Sequence, residues 1–379
     1  MKREVVYLTG TRADFGLMLP TLRTIHATPE LSLSIVPTGM HLARKFGYTL
    51  TEVESSGLPI GAIVEADTED DSGSGMARAA ADVAAGTARI FKTHRPDICL
   101  LLGDRWEMLA TAMSALLIGI PIVHVCGGES SGSIDDSIRH SISKLAHIHC
   151  VATRGASERL LKMGEDPTRI HVVGAPGLVG LTALATRSRA QLASEFKFDP
   201  AIPISVLLFH PVVQDSCIAG EQMQILLDAL TSLRIQTVCL SPNADAGSNR
   251  IFKTIENYCQ HQPQLLRSVT HLKREDYISL LASADVLVGN SSSGIVEATA
   301  FGTPVVNVGD RQLGRERNQN TLDCPIETNL IQQAIKRALA MTRKPFQNIY
   351  GDGYTDRRIA DLLVTLPEAS YLLKKVMTY

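Results

Sequence analysis

"DICLLLGDRWEMLATAMSALLIGIPIVHVCGGE" (97–129) contains the pattern that decides the fold. An apolar run over 97–102 ends in the polar turn Gly103-Asp104-Arg105. A helix-period segment follows over 106–119, and a second apolar run, PIVHV (121–125), ends in CGGE. Strands that are apolar throughout, rather than on alternate residues, are buried on both faces. Strand, helix, strand with such strands implies a parallel sheet covered by helices on each side.

The same unit repeats in both directions. Strand-like runs are expected at 4–10, 31–39, 60–66, 97–104, 121–128, 147–153 and 170–175, with helix patterns between them. The pattern breaks over 176–203 and restarts with strand-like runs at 204–212, 236–243, 265–272, 286–292 and 304–310. The expected fold is therefore α/β, with two Rossmann-like domains at 1–175 and 204–360 and a linker region at 176–203. In open parallel sheets, ligands bind outside the C-terminal strand ends. Seven polar turns directly follow strands: GTRADFG (10–16), GDRWE (103–107), CGGE (126–129), HPVVQD (210–215), SPNADAGS (241–248), GNSSSG (289–294) and GDRQ (309–312). Turns at one end of two such sheets are expected to face a common cleft.

Composition narrows the partners. A net charge of −2 over 379 residues leaves no electrostatic footprint for nucleic acid or an anionic membrane. Seven cysteines, an odd number without a C-x-x-C pair, suggest neither a disulfide framework nor a zinc site, and point to a reducing compartment. The apolar run VVYL near the N-terminus is too short for a signal peptide, and no stretch reaches the ~18 apolar residues of a membrane span. A cytoplasmic location is expected.

The turns carry candidate chemistry, each with a plainer alternative. Arg12 is either an exposed arginine on a turn or a fixed cation for phosphate. No G-x-G-x-x-G stands beside it, which argues against a Rossmann dehydrogenase. In GNSSSGIVEATAFG (289–302), Ser291, Ser292 and Gly294 would meet a diphosphate, and Glu297 would accept the hydroxyls of a ribose. A simple serine cap is the alternative. Arg311 adds a second cation one strand later. His210 is either a satisfied buried histidine or a donor to a leaving phosphate. Asp104, Glu129, Asp135 and Asp136 come from neighbouring strands of the N-terminal half. The plain reading of 127–140 is a helix start capped by Ser133 or Asp135. The alternative is catalytic: departure of a nucleoside diphosphate from an anomeric carbon creates an oxocarbenium-like cation, which carboxylates stabilise. No metal-ligand cluster is visible, and no cofactor is expected.

Taken in order, GTRADFG, GDR, GGESSGSIDDSIRH, FHPV, PNADAGS, GNSSSG and NVGDRQLGRE resemble the hydrolysing UDP-N-acetylglucosamine 2-epimerases, over about residues 5–365. The resemblance implies a glycosyltransferase-B type fold, with UDP held mainly by the C-terminal domain and a final helix, 361–379, returning to the N-terminal one. It implies anti elimination of UDP to a 2-acetamidoglucal, then hydration to N-acetylmannosamine for sialic acid biosynthesis. Asp104, Glu129, Asp135 and His210 are the implied catalytic residues. Arg12, Arg105, Asn243, His271, Ser291, Ser292, Gly294, Glu297 and Arg311 are the implied substrate and UDP contacts. A homo-oligomer, dimer or tetramer, is implied as well. Non-hydrolysing relatives read G-T-R-P-E at the first loop, whereas this chain reads GTRAD. One position departs: the animal enzyme carries H-I-E before its G-G-E, and this chain carries HVC, ending in Cys126. The proton-transfer role then falls to Glu129 or Asp136, to the thiol, or the sugar differs. The same mechanism on a UDP-2,4-diacetamido-2,4,6-trideoxyhexose of the legionaminic type is the sibling reading. A glycosyltransferase and an inactive nucleotide-sugar sensor are the readings from other classes.

Overall fold

The structure, a computed structural model, describes residues 2–44, 47–70, 72–132, 134–243, 245–270, 272–344 and 346–378. The chain forms two compact units, one of residues 1–130, 135–179 and 350–379, the other of 131–134 and 180–349.

The first unit is built on a six-stranded sheet: β1 (Arg3–Thr9), β2 (Leu31–Pro37), β3 (Ile98–Leu102), β4 (Ile122–Val125), β5 (Ile148–Val151) and β6 (Ile170–Val172). The order is β2-β1-β3-β4-β5-β6 and every pairing is parallel. All five residues of β3 are buried, as the unbroken apolar run requires. One face packs on Phe15, Met18, Leu22 and Ile25 of the helix Arg12–Ala27. The other packs on Val83 and Phe91 of the helix Gly73–His94 and on Met108, Ala112 and Ala115 of the helix Trp106–Ile118.

The second unit carries β7 (Ile204–Leu208), β8 (Gln236–Leu240), β9 (Leu266–Val269), β10 (Val286–Gly289), β11 (Val305–Val308) and β12 (Thr321–Cys324). Its order is β12-β11-β10-β7-β8-β9, again parallel throughout. This is the Rossmann strand order, and it reverses between β7 and β10. In the first unit the reversal lies between β1 and β3.

Three expectations need correction. The run at 60–66 is not a strand: it touches β2 only through the isolated bridges Ile35–Ile60 and Thr38–Val64. Pro59 has no N–H to extend the ladder, and a Cβ at Gly61 would fall 1.9 Å from Ser34 Oγ. Conversely, the sequence pattern missed β12, a half-exposed edge strand reading TLDC, too polar to register as a buried run. The boundaries also shift. The helix Arg189–Phe196, within the expected linker, belongs to the second unit, while residues from 350 onward belong to the first. The return is held by Tyr350 O, which accepts from Ala175 N (2.7 Å), and by Thr355 Oγ1, which donates to Val173 O (3.1 Å). The tail closes on the back of the helix Ile134–Leu145, where Lys375 Nζ donates to the carbonyls of Lys144 (2.9 Å) and Ala146 (2.7 Å). These cap carbonyls that a helix end leaves unsatisfied.

Candidate active site

Both sheet reversals carry the residues singled out by the sequence. At the first, Gly10, Thr11 and Arg12 follow β1, and Gly103 and Asp104 follow β3. Thr11 caps the helix Arg12–Ala27 in a capping box with Asp14. Arg12 is thus the first residue of a helix rather than the tip of a turn. Burial draws its pKa below the usual value, against the opposing charge of Glu52. Asp14 is buried beneath this turn and accepts from Gly10 N (3.0 Å) and Thr11 N (2.8 Å). Burial nevertheless raises its carboxyl pKa.

The acids of the first unit gather on a residue the sequence reading left without a role. Arg139, on the helix Ile134–Leu145, has a side chain only 1% exposed. Its guanidinium pairs with Asp104, with Asp136 (2.7 Å) and with the backbone carbonyl of Glu129 (3.1 Å). One planar fork with five fixed donors can orient three acceptors from three chain segments. Asp104 keeps 26% side-chain exposure, so it is held by a buried cation while open to ligand. Glu129 is buried, and Asp135 stands half-buried one residue before Asp136, inside the first turn of the helix. Asp135 is therefore not the cap; Ser133 lies outside the described residues. His124 steadies the same place from below, its Nε2–H donating to Gly103 O (2.7 Å) and its Nδ1 accepting from Ser143 Oγ (3.2 Å). Arg105, expected to meet substrate, forms a two-point pair with the buried carboxyl of Glu107, at 3.1 Å for each contact. Cys126, at the end of β4, sits at φ 60, in the left-handed region.

At the second reversal, His210 follows β7, and Asn290 and Ser291 follow β10. His210 Nδ1 accepts the backbone N–H of Asn243 (3.1 Å), while the Asn243 side chain turns to Asp245. Ser291 is the N-cap of the helix Ser292–Val296, its hydroxyl accepting from Ser293 N (3.3 Å). That helix is only five residues long, so its dipole is small, and anion affinity here must come from hydroxyls and individual N–H groups. Gly294 is required for packing: a Cβ there would meet Val305 Cγ1 at 2.9 Å. Glu297 is 3% exposed, and both oxygens are already engaged, Oε1 by Arg274 and Oε2 by Ser293 Oγ (2.5 Å). Each oxygen retains a second lone pair for a ligand hydroxyl. Arg311 donates to Asn290 O (3.2 Å). His271 lies outside the described residues. Arg274, Asn290 and Arg139 were invisible to sequence reasoning because their roles depend on partners 23, 80 and 35 residues away. Among the described residues, no group of three or more His, Cys, Asp or Glu could hold a metal ion, and no helix is long and apolar enough to cross a membrane.

Two Rossmann-like α/β units, with ionisable loops at each sheet reversal, are the fold of the glycosyltransferase-B type. A solved structure of UDP-GlcNAc 2-epimerase from Neisseria meningitidis bound to UDP-GlcNAc has this fold, with a TM-score of 0.81 at 16% identity, covering 96% of this chain and 100% of its own. Residues 23–364 match the model of the UDP-N-acetylglucosamine 2-epimerase family, and the chain belongs to that family. It is 41% identical over 379 residues to the UDP-N,N'-diacetylbacillosamine 2-epimerase (hydrolyzing) of Legionella pneumophila, covering 100% of both chains. It is 33% identical over 355 residues to a UDP-N-acetylglucosamine 2-epimerase of Neisseria meningitidis, covering 94% of this chain and 92% of that one.

Proposed function

We propose that this protein is a hydrolysing 2-epimerase acting on UDP-N,N'-diacetylbacillosamine, a UDP-2,4-diacetamido-2,4,6-trideoxyhexose. The observation that carries the reaction class is the acid cluster on Arg139 at one sheet reversal, matched by His210, Ser291 and Arg311 at the other. The first unit, completed by residues 350–379, supplies the chemistry, and the second supplies the UDP contacts. Asp104, ionised beside Arg139, takes the proton from C2. The C1–O bond breaks, and UDP leaves with the electron pair, stabilised by the Nε2–H of His210 and by the serine hydroxyls and Arg311. A proton returned to the opposite face of C2 and a hydroxyl from water added at C1 release the 2-epimeric sugar. Glu129 and Asp135 are the groups for these later transfers.

The diacetamido sugar is favoured over UDP-N-acetylglucosamine by the full-length likeness to the Legionella enzyme. The second reading, N-acetylmannosamine for sialic acid, rests on the Neisseria relative. NMR of products from each substrate in D2O separates them. Turnover of the diacetamido sugar with one deuteron at C2 is expected. Faster turnover of UDP-N-acetylglucosamine selects the second reading, and product without deuterium at C2 sinks the elimination.

Arg311→Ala is expected to weaken UDP binding about tenfold or more, since a hydrogen bond to a charged group contributes about 1.5–3 kcal/mol. Unchanged affinity by calorimetry would place the diphosphate elsewhere.

A further inference from the structure

We infer that Asn290 is a positioning residue for the leaving-group side of the reaction, acting through His210. This rests on the reading that His210 donates to the departing diphosphate.

The geometry is unusually complete for one side chain. Asn290 is 1% exposed. Its Oδ1 accepts the backbone N–H of His210 (2.7 Å), and its Nδ2 donates to the backbone carbonyl of the same residue (2.9 Å). The main chain of His210 is thereby gripped at both ends, as by a rung of a sheet. The backbone of Asn290 works in the other direction. Its N–H donates to Leu208 O (3.1 Å), and its carbonyl accepts from Gln312 Nε2 (2.9 Å) and Arg311 Nη1 (3.2 Å). One residue thus ties the turns after β7, β10 and β11 into a single body. The preceding Gly289, at φ 138, makes the approach possible: a Cβ there would lie 2.1 Å from Leu208 O.

The clamp has a consequence for the imidazole. With its main chain fixed, His210 keeps Nδ1 on the Asn243 N–H at 3.1 Å. A ring nitrogen that accepts carries no proton, so the neutral ring bears its hydrogen on Nε2 and serves as a donor. Only an amide of this length fits the clamp. Aspartate has no N–H for the His210 carbonyl, and glutamine is one methylene too long for a close-packed site.

The test is a double-mutant cycle on turnover, with UDP affinity measured alongside. His210→Ala and Asn290→Ala are each expected to lower kcat about a hundredfold, the scale of a misplaced catalytic group. The double variant should lose no more than about threefold beyond His210→Ala alone, because Asn290 acts through that ring. Multiplied losses would overturn the inference, since Asn290 would then act independently of His210. His210→Ala with near wild-type turnover would instead overturn the reading of His210 itself. Should Asn290→Ala fail to fold, Asn290→Asp takes its place in the cycle, since it keeps an acceptor for the His210 N–H and loses only the donor to its carbonyl; the same lack of additivity with His210→Ala is expected, and multiplied losses overturn the inference.

Discussion

Asp104→Asn is expected to lower kcat by about a hundred- to ten-thousandfold, the range for removing a group that transfers a proton in the transition state. UDP affinity should stay within a few-fold of wild type, because the groups proposed to stabilise the departing diphosphate, His210, the serines and Arg311, lie in the second unit. The reasoning starts from Arg139. Its buried guanidinium pairs with Asp104, and an adjacent cation favours the carboxylate, the form that can accept a proton. An amide at this position is nearly the same shape and can still accept a hydrogen bond from Arg139. It can neither take the C2 proton nor offset positive charge at the anomeric carbon. The fold should survive, since Arg139 keeps Asp136 at 2.7 Å and the Glu129 carbonyl at 3.1 Å. Turnover within tenfold of wild type, with UDP bound normally, would remove Asp104 from the mechanism.

The second large effect is on stability in acid. His41, His124 and His147 lie in the first unit, and burial depresses their pKa values to about 4, about 3 and about 4; His149 is lowered as well, again chiefly by burial. Each is neutral when folded and binds a proton near pH 6.5 when unfolded. The unfolded state therefore holds more protons between pH 6.5 and about 4, and stability falls as pH falls through that window. Asp14 and Glu107, raised by burial, bind protons in the folded state and oppose the trend. His140 and His171 of the same unit are lowered by burial as well, so the histidines outnumber the two carboxyls and the net trend is loss of stability in acid. Glu165 does not add to the loss until lower pH. Burial alone would raise it, but hydrogen bonds from His149 and Lys375 outweigh burial and hold it at about 2, so its contribution fades only below about 4.5. The single tryptophan, Trp106, is buried in this unit and reports on it alone. Its fluorescence should show the thermal midpoint of the first unit falling as pH drops from 6.5 towards 4. A thermal midpoint for Trp106 that is unchanged from pH 7 to 5 would refute the account. His124→Gln, which keeps a donor for Gly103 O without titrating, should make the pH dependence shallower.

Some of this was legible in the sequence because it is local. The apolar runs of β3, β4, β7, β10 and β11, with helix-period segments between them, specify parallel strands by burial and period alone. The position of Asp104, His210 and Ser291 at strand ends follows from the same pattern, since each follows an apolar run. The edges were harder. β12 is half-exposed and reads as polar, and the run at 60–66 reads as apolar yet makes only isolated bridges, at Ile35 and Thr38.

What only the tertiary structure decided is who holds whom. Arg139 and Asp104 are 35 residues apart, Asn290 and His210 are 80 apart, and Thr355 closes on a strand end 182 residues earlier. No periodicity encodes such pairs. They form because elements distant in sequence become neighbours: β10 beside β7 at the second reversal, β3 beside β4 in the first sheet, and the returning C-terminal segment beside the end of β6. There, buried polar groups must find partners within about 3 Å or lose the cost of their desolvation. The sequence by itself determined the layers, the strand ends and the kinds of side chain placed on them. The strand order determined which of those side chains meet, and so which carboxylate pairs with a buried arginine and which imidazole nitrogen accepts a backbone N–H.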